Sequence, residues 1–544
     1  QLRLWLALVI DDEINPNAQT PLDGHRNPLP LPNLESNILC GNSLMDEFEG
    51  SRLIKESDLL GSSDYQMDMN SGRFDSIVKK LIDLQDELFR CDDTEKKKQL
   101  KSEIESLRDM IILSQLEGCP QDKMQRYNAS KHLASKPYVL WKLDFARVFR
   151  EKGGFDIVIG NPPYGLLNKK QNQNTSIMAN EFELACYKNA PLYKPAKGGM
   201  INIFRLFICK SFDLLKKDGH LSLIFPMAFM CDLSAYALRD YVLQYNKIDY
   251  LEAFPERDNE NKRVFKSAKM SVCILGASKI HTERNEKFPM RISRDRFVDT
   301  QSPITWMSRE DIEIIDKASL TIPLMQPEEY EILLQMCSGN TRLGTVSKCY
   351  TGEIDLSLNK KYVKLENTYT RMLRGAQVQK FFITDNISQG DILYLDAETY
   401  LNENSSPKSR HHQNRRIVMQ GITGVNERYR LKMTISEQGV FCANSVNYLL
   451  IDDDELEFFL GLCNSRLLNW FFAKLSTNSN VNGYEVDNLP IRIPSESKKQ
   501  EIASLVHILL DDASDVSAND LLNSLVYEIY GLSPEQIEVV ESSY

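Results

Sequence analysis

The sequence predicts an α/β domain with a mostly parallel sheet, followed by a second domain of α+β type. Strand and helix patterns alternate from Tyr138 to Leu275, which is typical of a sheet with helices on both faces. Around residues 320–340 the strands become shorter and turns more frequent. The 544 residues should form two or three domains. We therefore predict domains at 1–320 and 321–544, the second ending in a helical tail.

The first forty residues contain three predicted elements. Gln1–Ile10 is apolar and predicts a helix, and residues 16–37, rich in Pro and Asn, predict a long loop. Ile38–Cys40 predicts a short strand that enters Gly41.

A helical hairpin is predicted next, within an insertion at about 51–130. Apolar residues recur there at three- and four-residue spacing in two runs. They are Phe74, Ile77, Leu81, Leu84 and Leu88, and then Leu100, Ile104, Leu107 and Ile111. Asp92-Asp93-Thr94 supplies the turn and an N-cap for the second helix. The favoured interpretation is an insertion whose two helices pack on each other. The alternative is a hairpin that binds nucleic acid.

The predicted sheet of the first domain is built around one strand, Phe155–Gly160. A helix is expected at about Ile203–Lys217, ended by Asp218-Gly219, and further strands at Leu221–Phe225, Leu251–Phe254 and Met270–Leu275. Ligands of such sheets bind at the carboxyl ends of the strands. Asn161 stands at that end of the first strand.

Composition indicates a globular protein and excludes several classes. Hydrophobic residues make up 42% and charged residues 26%, and the net charge is −11. That charge argues against nonspecific coating of nucleic acid but allows a local basic cleft. Eleven cysteines without a Cys-x-x-Cys predict neither a metal site nor a disulfide framework, and fit a reducing cytoplasm.

No apolar run reaches membrane-spanning length and no signal peptide is visible, so no membrane partner is expected. The chain begins with Gln1 rather than Met, and we expect it to be a fragment or a processed product.

The loop Asn161-Pro162-Pro163-Tyr164 carries the clearest chemistry. The Asn161 side-chain oxygen and the Pro162 carbonyl could each accept a hydrogen bond from one N–H group of an exocyclic amine. These two bonds would localise the lone pair of the nitrogen for methyl transfer. Proline has a fixed φ and no N–H, so the loop is rigid and rich in acceptors. Tyr164 could stack on a base taken out of a duplex. The alternative is an ordinary proline-rich turn.

Basic residues are concentrated in residues 405–435, where seven of them stand against one acid, Glu427. They are Lys408, Arg410, Arg415, Arg416, Arg428, Arg430 and Lys432. Such a segment predicts contacts to nucleic-acid phosphates. The alternative is a solvated loop whose charge has no partner.

These residues together resemble the gamma class of N6-adenine DNA methyltransferases. More narrowly, the chain resembles the methyltransferase and specificity parts of type IIG restriction–modification enzymes, with a TaqI-like C-terminal specificity domain. In the first domain the matching stretches are Lys136 to Tyr138, Trp141 to Phe145, Asn161 to Tyr164, Val264-Phe265 and Lys269 to Leu275. In the second they are Met372 to Gly375, Gly439 to Phe441, Asn444 to Asn447, Leu462 to Ser465, Leu489 to Ile491 and Leu525 to Leu532.

The resemblance implies a Rossmann-like methyltransferase domain, S-adenosylmethionine as cofactor and duplex DNA as partner. It implies cofactor contacts from Asn42, Ser43 and Asn161, although the family frequently has Asp where Asn42 stands. Phe265 would close the base pocket opposite Tyr164; taken alone, a core aromatic residue is the favoured interpretation. Arg374 lies in a recurring turn of the specificity domain and joins the predicted DNA-binding residues.

Two parts of the family are not found in the sequence. Its glycine-rich cofactor loop and any nuclease domain would precede Gln1, so the first domain is predicted to be incomplete at its N-terminus. The predicted activity is site-specific adenine methylation in a prokaryotic cytoplasm, within restriction–modification or phage defence. Two alternatives stay open: a DNA-binding module or pseudoenzyme without cofactor binding, and the same chemistry on RNA or on a protein glutamine.

Overall fold

The structure is a computed structural model that describes residues 38–54, 71–91, 93–168, 176–387, 390–424, 427–476 and 479–544. The helix predicted at Gln1–Ile10 and the loop predicted at 16–37 lie outside these ranges. Within them, no helix combines the length and the apolar character needed to cross a membrane.

By its internal packing the chain forms two compact units. Unit 1 comprises residues 1–226, 237–250 and 273–282, and unit 2 comprises residues 227–236, 251–272 and 283–544. The domain boundary predicted at residues 320 and 321 is a different division of the chain and stays a prediction.

The elements up to residue 308 include ten strands. They are β1 (Glu47–Phe48), β2 (Ser51–Arg52), β3 (Phe155–Gly160), β4 (Leu166–Asn168), β5 (Ser176–Met178), β6 (Leu215–Pro226), β7 (Lys247–Phe254), β8 (Val272–Ser278), β9 (Lys287–Ile292) and β10 (Ile304–Ser308). The helices of this part are α1 (Ser71–Arg90), α2 (Thr94–Gln115), α3 (Gln121–Ser130), α4 (Trp141–Asp144), α5 (Ala146–Lys152), α6 (Glu181–Asn189), α7 (Ile203–Leu214), α8 (Ala228–Cys231) and α9 (Tyr236–Tyr245).

A six-stranded mixed sheet has the order β10-β9-β7-β8-β6-β3. Strands β3 and β6 are parallel, as are β7 and β9, whereas β9 and β10 are antiparallel. The predicted α/β class with a central sheet is thereby confirmed. Strand β3 ends the sheet order, and its Ile157 and Ile159 are 65% and 78% exposed.

The predicted helical hairpin is confirmed as α1 and α2. Asp93 caps α2, since its side chain accepts a hydrogen bond from the Lys96 amide at 2.7 Å. Leu81, Leu88 and Ile104 of the predicted apolar stripes are buried. Periodicity alone therefore located both helices.

Two predicted boundaries were wrong. The helix α7 ends at Leu214 rather than Lys217, because Leu215 already pairs with Phe155 in the sheet. The pairing then shifts to Ile157 with His220, and the Asp218-Gly219 turn lies in this irregularity, Asp218 having a φ of 61°. The strand predicted at Ile38–Cys40 is instead an isolated bridge between Gly41 and Lys136.

The later part of the chain carries ten more strands within the described ranges. They are β11 (Thr341–Arg342), β12 (Cys349–Thr351), β13 (Val363–Lys364), β14 (Thr370–Leu373), β15 (Leu393–Leu395), β16 (Arg416–Gln420), β17 (Met433–Ser436), β18 (Phe441–Cys442), β19 (Val446–Leu449) and β20 (Pro490–Ile491). Its helices are α10 (Arg309–Asp316), α11 (Pro327–Cys337), α12 (Leu343–Val346), α13 (Ala397–Glu403), α14 (Leu456–Cys463), α15 (Arg466–Leu475), α16 (Gly483–Asp487), α17 (Glu496–Asp511), α18 (Val516–Tyr530) and α19 (Pro534–Glu541).

Two four-stranded sheets, with orders β12-β19-β16-β17 and β13-β15-β14-β18, and a two-stranded sheet of β11 and β20 form the β part of this region within the described residues. Strands β16, β17 and β19 are buried along their whole length. These strands are shorter than those of the first sheet, and three helices follow them at the end of the chain. The predicted α+β specificity domain stays a prediction.

Candidate functional site

Strand β3 positions the loop Asn161-Pro162-Pro163-Tyr164. The strand pairs in parallel with β6, so that Ile159 lies beside Ser222 and Gly160 beside Leu223. β-branched residues favour this extended conformation, and Pro162 ends it because proline has no N–H to donate to a ladder. Asn161 therefore lies at the carboxyl end of a parallel strand, as predicted.

The four loop residues differ in exposure. Asn161 and Pro163 are exposed, Pro162 is buried and Tyr164 is half-buried. The backbone at Pro162 and Pro163 presents carbonyl groups and no N–H. The loop therefore offers the Asn161 side-chain amide to solvent, and its two prolines add carbonyl acceptors without N–H donors.

The Tyr164 hydroxyl joins two strands of the sheet at this end. It lies 2.7 Å from the Asn161 side-chain oxygen and 3.0 Å from the Ile224 carbonyl oxygen near the end of β6. Partial burial raises the pKa of Tyr164 to about 12. The hydroxyl is therefore protonated at neutral pH and acts as a hydrogen-bond donor.

Asn202 anchors the residue that follows the loop. Its side-chain oxygen accepts a hydrogen bond from the Gly165 amide at 3.2 Å, and the Ile203 amide donates to the Gly165 carbonyl at 3.0 Å. Gly165 has a φ of 152°, which favours glycine. Sequence analysis missed Asn202, although an Asn directly before an apolar helix predicts an N-cap; its side chain holds Gly165 and makes no cap bond.

Asn42 is predicted to contact the cofactor, and its hydrogen-bonding groups already have protein partners. Its side-chain nitrogen donates to Glu183 at 2.7 Å and to the Tyr187 hydroxyl at 3.0 Å, and its oxygen accepts from the Leu44 amide at 3.2 Å. These bonds tie the Gly41–Leu44 turn to α6. These bonds fix the orientation of the side chain, and its role in cofactor binding stays a prediction.

Ser43 makes a backbone contact. Its carbonyl accepts a hydrogen bond from the Trp141 indole at 3.0 Å, which fixes the turn against α4. Its role in cofactor binding stays a prediction.

Phe265 lies in unit 2, after the short 3₁₀ turn Glu260–Lys262, and is half-buried. Its carbonyl accepts a hydrogen bond from the Ala268 amide at 3.1 Å. The predicted position opposite Tyr164 stays a prediction.

The prediction that Arg416 contacts phosphates was wrong. Arg416 is fully buried, and its guanidinium lies 2.5 Å from the carboxylate of Glu353, which is equally buried. It also donates to the Val440 carbonyl at 2.9 Å and stands 4.1 Å from the centre of the Tyr448 ring. Its sequence position in a basic run gave no sign of this, because the partner carboxylate comes from a distant part of the chain.

Arg430 is likewise internal, which corrects a second predicted contact. It is 1% exposed and donates to the Thr423 hydroxyl at 2.9 Å and to the Ser476 hydroxyl at 3.3 Å. Burial lowers the pKa of this guanidinium. No DNA phosphate reaches a side chain in this position.

Two more residues of the basic segment are held by carboxylates. Arg415 lies within 3.4 Å of carboxylate oxygens of Asp453, Glu457 and Glu437. Lys432 forms an ion pair with Glu427. Both charges are therefore largely balanced within the protein.

Arg410 and Arg428 are exposed. The Arg428 guanidinium lies 5.9 Å from the ring centres of both Tyr429 and Tyr544. Arg374 is half-buried and donates to the Asp391 carbonyl at 2.9 Å. Of the predicted DNA-binding residues, Arg410 and Arg428 thus present their charge to solvent most directly.

The comparison with known families bears on the region that contains this loop. Residues 1–259 match the family model described as Eco57I restriction-modification methylase. The predicted resemblance to restriction–modification methyltransferases is confirmed. The matched region includes the whole of β3, the Asn161–Tyr164 loop and Asn202.

Two curated proteins are similar to this chain. RM.MjaORFECS2P of Methanocaldococcus jannaschii, whose name describes a type II restriction enzyme and methyltransferase, is 22% identical over 623 residues and matches 97% of this chain. RM.Eco57I of Escherichia coli, a type II restriction enzyme and methyltransferase, is 28% identical over 221 residues and matches 39% of this chain. The chain spans 47% of the first relative's length and 20% of the second's.

Among solved structures, the type IIL restriction–modification enzyme MmeI in complex with DNA overlaps 82% of this chain and 65% of its own. The sequence identity is 11% and the TM-score 0.45. A likeness at this level does not bear on function.

Proposed function

We propose that this chain is the methyltransferase and specificity part of a restriction–modification enzyme that methylates N6 of adenine in a short duplex DNA sequence. The observation that carries the proposal is the Asn161-Pro162-Pro163-Tyr164 loop at the carboxyl end of β3, inside the region that matches the methylase family model. The finer fold assignment, a Rossmann-like methyltransferase domain followed by a TaqI-like specificity domain, is part of this proposal.

The loop residues would act on the target amine directly. The Asn161 side-chain oxygen and the Pro162 carbonyl accept hydrogen bonds from its two N–H groups. These bonds localise the lone pair of the nitrogen. Because the loop is held by Gly165 and Asn202 at one end and by β3 at the other, these acceptors need little reorganisation. The Tyr164 ring stacks on the adenine after it leaves the duplex.

S-adenosylmethionine, when bound, would supply the electrophilic methyl group. Exposed Asn161 stands where a cofactor and a base could both approach the end of β3. Asn42 and Ser43 would contribute further cofactor contacts, with the Asn42 side chain oriented by Glu183 and Tyr187.

DNA recognition is assigned to the later part of the chain, residues 321–544. Arg410 and Arg428 are the exposed cations of the basic segment, and Tyr429 and Tyr544 stack beside the second of them with ring centres 5.3 Å apart. Exposed guanidinium groups beside aromatic rings suit phosphate and base contacts.

The deciding experiment replaces Asn161 by Ala in the protein expressed from its full coding region. Single-molecule sequencing of host DNA should find N6-methyladenine in one short sequence context with the unmodified protein and none with the variant. DNA affinity should change little, because the DNA is held by other residues. Asn189→Ala, at an exposed asparagine that ends α6, is the matched control and should methylate normally.

The competing hypotheses predict different results. A DNA-binding module or pseudoenzyme would bind duplex DNA and leave no methyladenine in the host genome. An enzyme for RNA or for a protein glutamine would leave DNA unmodified and methylate the other polymer. Undiminished DNA methylation by Asn161→Ala would remove the loop from the active site.

A further inference from the structure

The Tyr164 hydroxyl stands between two oxygen atoms that both accept hydrogen bonds. The distances are 2.7 Å to the Asn161 side-chain oxygen and 3.0 Å to the Ile224 carbonyl oxygen. Both lie in the normal range for a hydroxyl donor. A phenol has one O–H proton, so it donates to one of these acceptors at a time.

Rotation about the C–O bond of Tyr164 exchanges the two hydrogen bonds without moving the ring. Ile224 belongs to β6, which pairs directly with β3, the strand that leads into Asn161. The Ile224 carbonyl is therefore fixed by the sheet, whereas the Asn161 oxygen belongs to a side chain that follows β3. The proton can change partner while the aromatic face stays where it is.

We propose that the Tyr164 hydroxyl is a positioning group for Asn161, passing its hydrogen bond from the Asn161 oxygen to the Ile224 carbonyl when the substrate amine arrives. This inference rests on the proposed function, since it names what prepares Asn161 for that amine. It assigns the hydroxyl a role separate from base stacking, which needs only the ring.

The chemistry of the amide explains why such a group is useful. An asparagine amide can turn over and present its NH₂ group where its oxygen should be, and an NH₂ group cannot accept a bond from an amine. With no base bound, the Tyr164 proton holds the Asn161 oxygen towards the tyrosine at 2.7 Å. When the amine donates to that oxygen, the hydroxyl turns to the Ile224 carbonyl, and the Asn161 oxygen keeps a hydrogen-bond donor.

The test is Tyr164→Phe, which keeps the ring and removes the hydroxyl. One intramolecular hydrogen bond contributes about 0.5–1.5 kcal/mol, which corresponds to roughly a two- to twelvefold change in rate. We expect single-turnover methylation at saturating DNA to fall by about that factor. The dissociation constant for DNA and the fluorescence of 2-aminopurine placed at the target position should not change, because the stacking ring remains.

Tyr250→Phe is the matched control. The Tyr250 hydroxyl lies 2.8 Å from the Ser222 hydroxyl in the same sheet, so this change also removes one hydroxyl from unit 1 without touching Asn161. It should methylate at the unmodified rate. Thermal melting of both variants should match that of the unmodified protein, which excludes a folding defect.

Two results would overturn the positioning role. One is an unchanged single-turnover rate in Tyr164→Phe. The other is a slower rate accompanied by lost 2-aminopurine fluorescence, which would place the hydroxyl in base capture. If the unmodified protein methylates no DNA at all, the proposed function falls and this inference falls with it.

Discussion

Arg416 carries its charge into the interior of unit 2, and Glu353 makes that burial possible. Both side chains are fully buried. The second carboxylate oxygen of Glu353 accepts a hydrogen bond from the Cys442 amide at 3.0 Å. An unpaired charge in such surroundings is strongly unfavourable, whereas a paired and hydrogen-bonded one is tolerated. The pair therefore ties β16 to the Glu353 and Cys442 segments.

Arg416→Met should destabilise the protein without a direct effect on DNA binding. Removal of one partner from a buried ion pair costs about 3–5 kcal/mol, because the other charge is left behind. The measurement is the free energy of unfolding in urea. Arg410→Met, at an exposed position, is the control and should lie within about 0.5 kcal/mol of the unmodified protein.

The double variant Arg416→Met with Glu353→Gln separates charge from packing. If the isolated carboxylate is the cause, this variant should recover part of the lost stability. Equal stability of Arg416→Met and the unmodified protein would show that the pair is not buried in solution.

At the scale of secondary-structure elements, the loop after β3 is held by the start of α7. Asn202 precedes that helix, and its side-chain oxygen accepts a hydrogen bond from the Gly165 amide. Leu166 forms an antiparallel β-bridge with Asn202. The apolar helix α7 is almost entirely buried, so its first turn is a fixed point. The rigidity of the Asn161–Tyr164 loop thus depends on a second element.

Asn202→Ala should slow methylation while leaving the fold intact. Loss of one hydrogen bond to Gly165 should lower the free energy of unfolding by about 1 kcal/mol. The rate of methylation should fall by more than the factor that corresponds to this free energy, because a misplaced acceptor loop is no longer preorganised for the amine. Single-turnover kinetics beside urea unfolding measures both effects, and proportional losses in the two would contradict a positioning role for Asn202.

At the scale of the whole molecule, the basic side chains differ in whether they pair with carboxylates or face solvent. The chain has a net charge of −11, and Arg415, Arg416 and Lys432 of its basic segment form ion pairs with carboxylates within the protein. Under the proposed function, the exposed cations of that segment, Arg410 and Arg428, would attract the DNA. The sum of charges says little about where a polyanion binds.

Arg410→Ala and Arg428→Ala should each weaken binding of duplex DNA and flatten its salt dependence. The logarithm of the DNA-binding constant decreases linearly with the logarithm of salt concentration. The magnitude of this slope should decrease by about one for each phosphate that the protein no longer neutralises. Titrations at several salt concentrations measure this. Arg415→Ala is the comparison, since three carboxylates already hold that charge; a larger slope change there would place the DNA on its side of the unit.

Local patterns predicted much of the first sheet and its insertion. Apolar spacing located α1 and α2, and the apolar run before two prolines located β3 and the loop. These features depend on residues close in sequence, where turn chemistry and periodicity decide the conformation. The chemistry proposed for the Asn161–Tyr164 loop is likewise a prediction from local sequence, because four adjacent residues supply its acceptors and its aromatic ring.

Only the tertiary structure decided which charges are buried and what holds the loop. Glu353 is 63 residues from Arg416, Asn202 is 37 from Gly165, and Ile224 is 60 from Tyr164. A run of arginines has the same composition whether its charges face solvent or carboxylates. The sequence by itself thus determined the sheet strand and the acceptor groups, whereas burial and partnership depend on contacts between distant segments, which periodicity and composition do not encode.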